Sequence, residues 1–201
     1  ELVLPGLLTD ESSFDVSADG RLIVAAFPVA DRADPAGFSA FSDLWLLDVE
    51  SRAPRRLTTG RRLWHPALTP DGGRIVAVER ADSYSRLVEV DLESGAVMPL
   101  YEPRGATVYG PRFDERGERI VFVENVGGLQ DVMLFEKGAA RPLFGRDRDG
   151  DYYPEFSGPQ RVLFSSDREG SLALYEYDLS SGSLRRVVRD RVAAWAGVRV
   201  D

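Results

Sequence analysis

Short apolar runs separated by turn residues recur along the chain. In the clearest stretch, a β-branched apolar run at residues 74–79 follows a Pro-Asp-Gly-Gly turn, and the run at 86–91 alternates polar and apolar residues. Turn residues with a fixed or positive φ between runs of this kind are typical of antiparallel hairpins. Helical spacing over about 11 or more residues is not evident anywhere. The pattern therefore predicts an all-β chain of short strands.

Two sequence markers divide this pattern into four repeats. The first marker is a strand followed by a tight turn, and its copies start at Phe14, Pro66, Pro111 and Pro154. The second marker is a short acidic turn, found at Asp48, Asp91, Glu136 and Asp178. Both recur at a spacing of 42 to 45 residues, except that the first step of the first marker is 52 because residues 28–40 form an insertion. Two markers with one period indicate that a single structural unit is repeated.

Each repeat has the length and strand pattern of one β-propeller blade, which is a small sheet of four antiparallel strands. Proline or arginine occurs in every fourth strand, so we expect that strand at a sheet edge. We predict a single propeller domain over residues 1–201 with four full blades. It is either an arc of a six- to eight-bladed propeller or closed by unusual pairing of its termini. The predicted blades span about 12–59, 63–102, 108–145 and 152–189, and 1–11 and 190–201 are predicted as partial strands of flanking blades.

The fourth repeat carries the most specific sequence motifs. They are Pro-Glu-Phe-Ser at 154–157, Val-Leu-Phe-Ser-Ser-Asp-Arg-Glu-Gly at 162–170 and Leu-Tyr-Glu-Tyr-Asp at 174–178, and the first repeat ends in Arg-Leu-Thr at 56–58. These segments resemble the TolB-type β-propeller repeat family, and the resemblance extends over residues 12–188. It implies a bacterial protein in an extracytoplasmic location such as the periplasm. It is specific for the fold and not for a function, because similar repeats serve many proteins.

Composition narrows the function classes. Hydrophobic residues make up 43% and charged residues 29% of the chain, as in soluble globular proteins, and no apolar run approaches the roughly 20 residues of a membrane span. The net charge of −8 argues against nucleic acid as a partner. The chain has no cysteine and one histidine, which excludes disulfides, thiolate zinc sites and histidine-rich metal sites. No cofactor is predicted, and a chain that starts at Glu1 is expected to be a processed form or an excerpt of a longer protein.

Aromatic residues stand two positions before the anchoring proline in three repeats. They are Trp64, Tyr109 and Tyr152, here called the aromatic collar, and His65 and Tyr153 follow two of them. In a propeller these positions are expected around the channel mouth, on the face that also carries the insertion at 28–40 and the loops at 80–84, 125–128 and 166–170. One interpretation is that these five residues bind a peptide or protein. The other is that each aromatic packs as a wedge between adjacent blades, and the sequence leaves both open.

The sequence gives little support for a metal site or for catalysis. Asp147, Asp149 and Asp151 are a weak calcium candidate, but Tyr152 and Gly158 stand where an EF-hand loop requires glycine and glutamate. A catalytic imidazole at the single histidine would need a nucleophile or an orienting carboxylate beside it, and the chain has no G-x-S-x-G elbow. No catalytic residue and no other metal ligand is therefore predicted.

These inferences predict a non-catalytic, TolB-like module that binds a protein or peptide and belongs to a larger bacterial envelope protein. The alternative is the gating propeller of a larger peptidase or hydrolase whose catalytic domain lies outside this chain, because prolyl-oligopeptidase-like peptidases carry similar blades. A propeller that binds a sugar or another small ligand is a third hypothesis, suggested by the aromatic collar alone.

Overall fold

The fold is all-β. The computed structural model describes residues 14–28, 42–81, 83–146 and 148–188, and these form sixteen strands and no helix. The strands make four sheets of four antiparallel strands, which confirms the predicted class of β-propeller blades. Within the described ranges, no helix has the length and apolarity needed to cross a bilayer. The predicted partial strands at 1–11 and 190–201, and the insertion beyond Pro28, lie outside the described residues. The single-domain organisation and the blade bounds stay predictions.

The chain divides into two compact units, Glu1–Pro103 and Arg104–Asp201. The first unit contains two sheets, each with its strands in chain order. Their strands are β1 (Phe14–Val16), β2 (Leu22–Pro28), β3 (Ser42–Asp48), β4 (Ala53–Arg56), β5 (Leu63–Leu68), β6 (Ile75–Arg80), β7 (Ser85–Val90) and β8 (Val97–Tyr101).

The second unit repeats this arrangement with two further sheets. Their strands are β9 (Thr107–Phe113), β10 (Ile120–Val126), β11 (Leu129–Glu136), β12 (Ala139–Pro142), β13 (Asp151–Gly158), β14 (Arg161–Ser166), β15 (Ala173–Asp178) and β16 (Leu184–Arg186).

The position of a strand in its sheet explains its composition. In β6, which pairs with β5 and β7, the residues from Ile75 to Val78 are all buried, so both faces of the strand are apolar. In β4, which pairs with β3 alone, all four residues are exposed, including Pro54 and Arg55. The proline- or arginine-containing fourth strand lies at a sheet edge in every sheet, as its sequence predicts.

Each unit has its own hydrophobic core between its two sheets. In the first unit the core includes Val24, Leu44 and Ile75, and in the second it includes Leu134 and Phe164. The first strand of the second sheet packs across the first three strands of the preceding sheet: β5 contacts β1, β2 and β3, and β13 contacts β9, β10 and β11. Sheets that pack face to face in this way bury the apolar second and third strands.

The acidic turn that marks each repeat is held by side-chain hydrogen bonds. The Asp91 Oδ1 atom accepts from the main-chain amide of Ser94 at 2.7 Å and from its hydroxyl at 2.6 Å. Asp178 makes the same contacts with Ser181, at 2.8 Å and 3.0 Å. These hydrogen bonds favour the carboxylate form and lower the pKa of Asp91. For Asp178 the hydrogen bond from the Ser180 hydroxyl has the largest effect, and together with those from Ser181 it lowers the pKa to about 2. The repeated Asp-x-x-Ser pattern is therefore a turn device.

Candidate functional site

The positions of the aromatic collar lie at a β-bulge that recurs in three sheets. In the first unit Trp64 pairs with Val78 and Ala67 pairs with Val76, so that two residues, His65 and Pro66, stand opposite one. The second unit has the same register shift twice, beside Tyr109 in β9 and beside Tyr152 in β13. A bulge of this kind bends the strand and redirects the side chains around it.

The residue after each collar aromatic has a left-handed backbone. The φ angles are 48° at His65, 60° at Gly110 and 52° at Tyr153. A positive φ is uncommon for residues other than glycine and costs roughly 1–2 kcal/mol. The proline that follows has no N–H to contribute, which suits a point where the ladder is interrupted. The aromatic-x-Pro sequence thus occurs at a bulge within the first strand of three sheets.

In the second unit the bulge residues form a tyrosine cluster. The rings of Tyr152 and Tyr153 lie 6.3 Å apart, and Tyr153 is 37% exposed. Burial raises the pKa of Tyr109, and the neighbouring Tyr152 and Tyr153 raise it further. Burial also raises the pKa of Tyr152, with added effect from the Asp167 and Asp151 charges. The phenol groups of Tyr109 and Tyr152 are therefore uncharged at neutral pH.

In the first unit the collar position is held by a tryptophan. Trp64 is partly buried, as are His65 and the two tyrosines Tyr109 and Tyr152 of the second unit. The indole N–H of Trp64 is buried, and no residue in the described part of the chain accepts a hydrogen bond from it. A buried donor without an acceptor costs roughly 1–3 kcal/mol.

The connections predicted to share one face do meet within each unit. In the first unit, residues 60–62 between β4 and β5 line one pocket of about 390 Å³ together with residues 79–81 and Tyr84 around the β6–β7 connection. In the second unit, the Gly150 amide before β13 donates to Asp167 Oδ1 at 2.7 Å, and the Asp167 amide donates to the Gly150 carbonyl at 3.2 Å. Of the collar residues, Trp64 and Tyr152 lie in the strands β5 and β13 that leave these connections.

The pocket in the first unit is strongly basic, a feature absent from the sequence-based predictions. We call it the arginine pocket, and it is lined by Gly60, Arg61, Arg62, Glu79, Arg80, Ala81, Tyr84 and Arg86. Glu79 accepts from Arg61 at 3.1 Å and from Arg86 at 2.9 and 2.7 Å. Arg86 also donates to Glu102 at 2.9 Å, and both glutamates raise the pKa of Arg86. In the sequence, the only signal for this pocket was that arginines stand just before β5, at the end of β6 and at the start of β7.

The weak calcium candidate gains no support from the geometry. Asp147 lies outside the described residues, while the Asp151 side chain is buried and accepts from Arg168 at 2.9 Å. The Arg168 guanidinium stacks over three rings, those of Phe144, Phe164 and Tyr175. In the part of the chain that the structure describes, no three His, Cys, Asp or Glu residues are placed to hold a metal ion. Asp151 thus serves an internal ion pair.

An apolar hairpin tip lies on the connection side of the second unit. Val126 and Leu129 face each other across the β10–β11 turn and are 39% and 45% exposed. Gly127 and Gly128 form the turn with φ angles of 62° and 95°, as a two-residue hairpin of this type requires. The Asn125 side chain accepts from the Gly128 amide at 2.9 Å, which holds the tip in place.

The fold is that of TolB-type β-propellers. A structure of a TolB protein from Agrobacterium tumefaciens matches with a TM-score of 0.70 and 19% sequence identity, over 87% of this chain. TolB from Acinetobacter baumannii matches with a TM-score of 0.68 and 14% identity, over 87% of this chain. A prolyl endopeptidase matches with a TM-score of 0.68 and 16% identity, over 89% of this chain. No family model matches the chain, and no curated protein matches it in sequence.

These similarities establish the fold and confirm the resemblance to TolB at that level. The chain spans 63% of the Agrobacterium TolB structure, 42% of the Acinetobacter TolB structure and 28% of the prolyl endopeptidase. Because the same blades occur in TolB and in a peptidase, the fold does not select between a binding module and part of an enzyme.

Proposed function

We propose that the chain is a non-catalytic propeller module that binds a protein or peptide through the residues of the aromatic collar. The observation that carries this proposal is the recurring bulge, which holds Trp64, Tyr109 and Tyr152 at equivalent positions of three sheets. The bulge costs backbone strain at His65 and Tyr153, and strain of this kind concentrates at functional sites.

The partial exposure of the collar favours binding over a purely structural wedge. Wedge residues would be expected in the hydrophobic core, whereas Trp64, Tyr109 and Tyr152 each retain accessible surface. Tyrosine and tryptophan are enriched at the centres of protein interfaces because they combine large apolar area with a polar group. Tyr153 and the hairpin tip at Val126 and Leu129 add further exposed apolar surface to the second unit.

The setting that we propose is extracytoplasmic, within a larger bacterial envelope protein. The likeness to two TolB structures supports this setting. The chain covers less than two thirds of either, which is compatible with further blades or domains in the whole protein.

The test is a pull-down from envelope extract, followed by titration of the purified partner. Replacement of Trp64, Tyr109 and Tyr152 together by alanine is expected to weaken binding by at least about thirtyfold, because the loss of even one central aromatic contact costs roughly 2 kcal/mol. Replacement of all three by phenylalanine keeps the rings and is expected to retain most of the affinity. Met98→Ala, at a 53% exposed position of edge strand β8, is the control. A partner that binds the folded triple alanine variant undiminished would rule out the collar as its binding site.

The gating propeller of a larger peptidase is a second candidate function. It is supported by the match to the prolyl endopeptidase, which covers 89% of this chain but only 28% of that enzyme. The discriminating observation is the full-length sequence: an α/β-hydrolase domain in the same polypeptide, with hydrolysis of a chromogenic prolyl peptide, would favour the peptidase. A full-length protein made of blades alone would favour the binding module.

A further inference from the structure

The arginine pocket combines fixed and uncommitted donors. Glu79 holds Arg61 and Arg86 in place through the ion pairs described above. In contrast, the Arg80 guanidinium and the Tyr84 hydroxyl donate no hydrogen bond to any residue that the structure describes, although both line the pocket. Asp82, in the same connection, lies outside the described residues. Arg80 and Tyr84 therefore have donor groups that none of the described residues uses, and a ligand in the pocket can reach both.

The charge of the pocket selects an anion. Its lining contains four arginines and one glutamate, in a chain whose net charge is −8. A concave surface of one sign concentrates the field and attracts ligands of the opposite charge. The lining lacks the apolar character of ordinary small-molecule pockets, although its volume of about 390 Å³ lies in their range. A carboxylate suits it well, because the planar guanidinium fork matches carboxylate geometry.

The pocket adjoins the first-unit member of the collar. Arg61 and Arg62 directly precede β5, which starts at Leu63 and carries Trp64. Leu63 pairs with Glu79, so the strand end that carries Trp64 lies against the strand end that forms the pocket. A peptide that contacts Trp64 can thus place a neighbouring side chain in the pocket.

We propose that the arginine pocket binds an aspartate or glutamate side chain of a peptide ligand, with Arg80 and Tyr84 as the donors to its carboxylate. This inference rests on the proposed function, because it takes a peptide as the ligand. It adds a requirement that the collar alone does not impose, namely an acidic residue in the segment that binds the first unit.

The probe is a phage library of linear peptides, selected on the whole chain and on the Arg80→Gln, Tyr84→Phe double variant. Peptides that the wild type selects are expected to be enriched in aspartate and glutamate. In a selected peptide, replacing the acidic residue by its amide is expected to weaken binding roughly tenfold, as is the double variant. The two losses should not add, because they remove one interaction. Arg52→Gln, at an exposed residue in the β3–β4 turn, removes the same charge elsewhere and should leave affinity within about twofold.

The possible outcomes separate this inference from the proposed function. Selected peptides without acidic enrichment, bound equally by the double variant, would overturn the pocket assignment and leave the binding module standing. Acid-rich peptides that bind the double variant undiminished would also overturn it. If inorganic phosphate binds the wild type more tightly than the acidic peptide does, and depends on Arg80, the pocket is a phosphate site and the peptide assignment fails. No selection above that of an unrelated control protein would overturn the proposed function together with the inference.

Discussion

The main-chain amide of Leu68 donates a 2.7 Å hydrogen bond to the Asp15 carboxylate and so joins the first sheet to the second. At the equivalent register in the second unit, Arg112 donates to Glu155 at 2.8 Å and joins the third sheet to the fourth. The first-strand residue that makes this link is Asp15 in the first unit and Arg112 in the second. It is therefore an acid in one unit and a base in the other. One position of the repeat thus links the two sheets of each unit through two different chemistries.

Removal of the Asp15 carboxylate is expected to destabilise the first unit. Asp15→Ala should lower the free energy of unfolding by about 1–3 kcal/mol, because a hydrogen bond to a charged group is lost and the buried Leu68 amide is left without its acceptor. Asp15→Asn keeps an acceptor oxygen and should cost less. Urea unfolding followed by circular dichroism measures both values. Glu50→Ala removes an exposed ion pair with Arg21 and is the control, with an expected change within about 0.5 kcal/mol.

The four sheets could be predicted because the relevant signals are local in sequence. Turn residues and strand alternation act over a few positions, and the period of the repeat then defines the blade. The acidic turn at Asp91 and Asp178 is an example, since each aspartate is held by the serine three residues later. Proline at Pro54 likewise indicated an edge strand that the sheet order confirms.

The bulge and the arginine pocket could not be predicted in the same way. Gly110 is compatible with a positive φ, but nothing about His65 or Tyr153 indicates one, because the surrounding sheet imposes that conformation. The pocket depends on residues at the ends of β5 and β6 that only strand register brings together. Isolated arginines are ordinary surface residues in a sequence, and their convergence is a property of the fold.

Two glycines with nearly the same backbone are expected to respond differently to alanine. A Cβ at Gly110 (φ 60°) would meet no atom within 4 Å. Gly110→Ala should therefore lower the free energy of unfolding by about 1 kcal/mol, which is the cost of holding alanine in a left-handed backbone conformation. A Cβ at Gly95 (φ 69°) would lie 1.9 Å from the Leu57 carbonyl oxygen, so Gly95→Ala should cost more than about 2 kcal/mol. Thermal and urea unfolding of both variants measure the difference. Equal losses of stability in the two alanine variants would contradict the close approach of Gly95 to Leu57. Gly110→Asn should destabilise the fold less than Gly110→Ala, because asparagine tolerates a positive φ better.

The Arg168 side chain is expected to be critical for the second unit. It pairs with the buried Asp151 carboxylate at 2.9 Å and stacks on the rings of Phe144 and Tyr175. Arg168→Ala removes the guanidinium from a buried carboxylate and should lower the free energy of unfolding by about 3–5 kcal/mol. The Arg168→Ala, Asp151→Ala double variant should be less destabilised than the sum of the single variants, because no buried charge remains. Strict additivity in that cycle, measured by urea unfolding, would show that the two side chains are not coupled.

The acidic turn makes stability depend on pH in the acid range. The Ser180 and Ser181 hydrogen bonds lower the pKa of Asp178 from 3.8 to about 2. The unfolded chain therefore takes up this proton before the folded one, so the contribution is complete above about pH 4 and is lost as the pH falls toward about 2. Asp178→Asn should show a smaller loss of stability across that window. Carboxyl ¹³C NMR should give a titration midpoint near pH 2 for Asp178. The Ser180→Ala, Ser181→Ala double variant should move this midpoint toward 3.8. A wild-type midpoint near 3.8 would contradict the turn geometry.

Trp64 offers a way to separate the structural from the binding contribution of the collar. Its buried indole N–H has no acceptor among the described residues, so Trp64→Phe removes an unsatisfied donor while it keeps a ring in the same place. The free energy of unfolding should change by less than about 1 kcal/mol, because the lost area and the relieved donor oppose each other. Trp64→Ala removes the ring as well and should cost about 2 kcal/mol or more. If Trp64→Phe is as destabilising as Trp64→Ala in urea unfolding, the indole N–H has a partner that stabilises the fold, and Trp64 is better understood as a structural wedge.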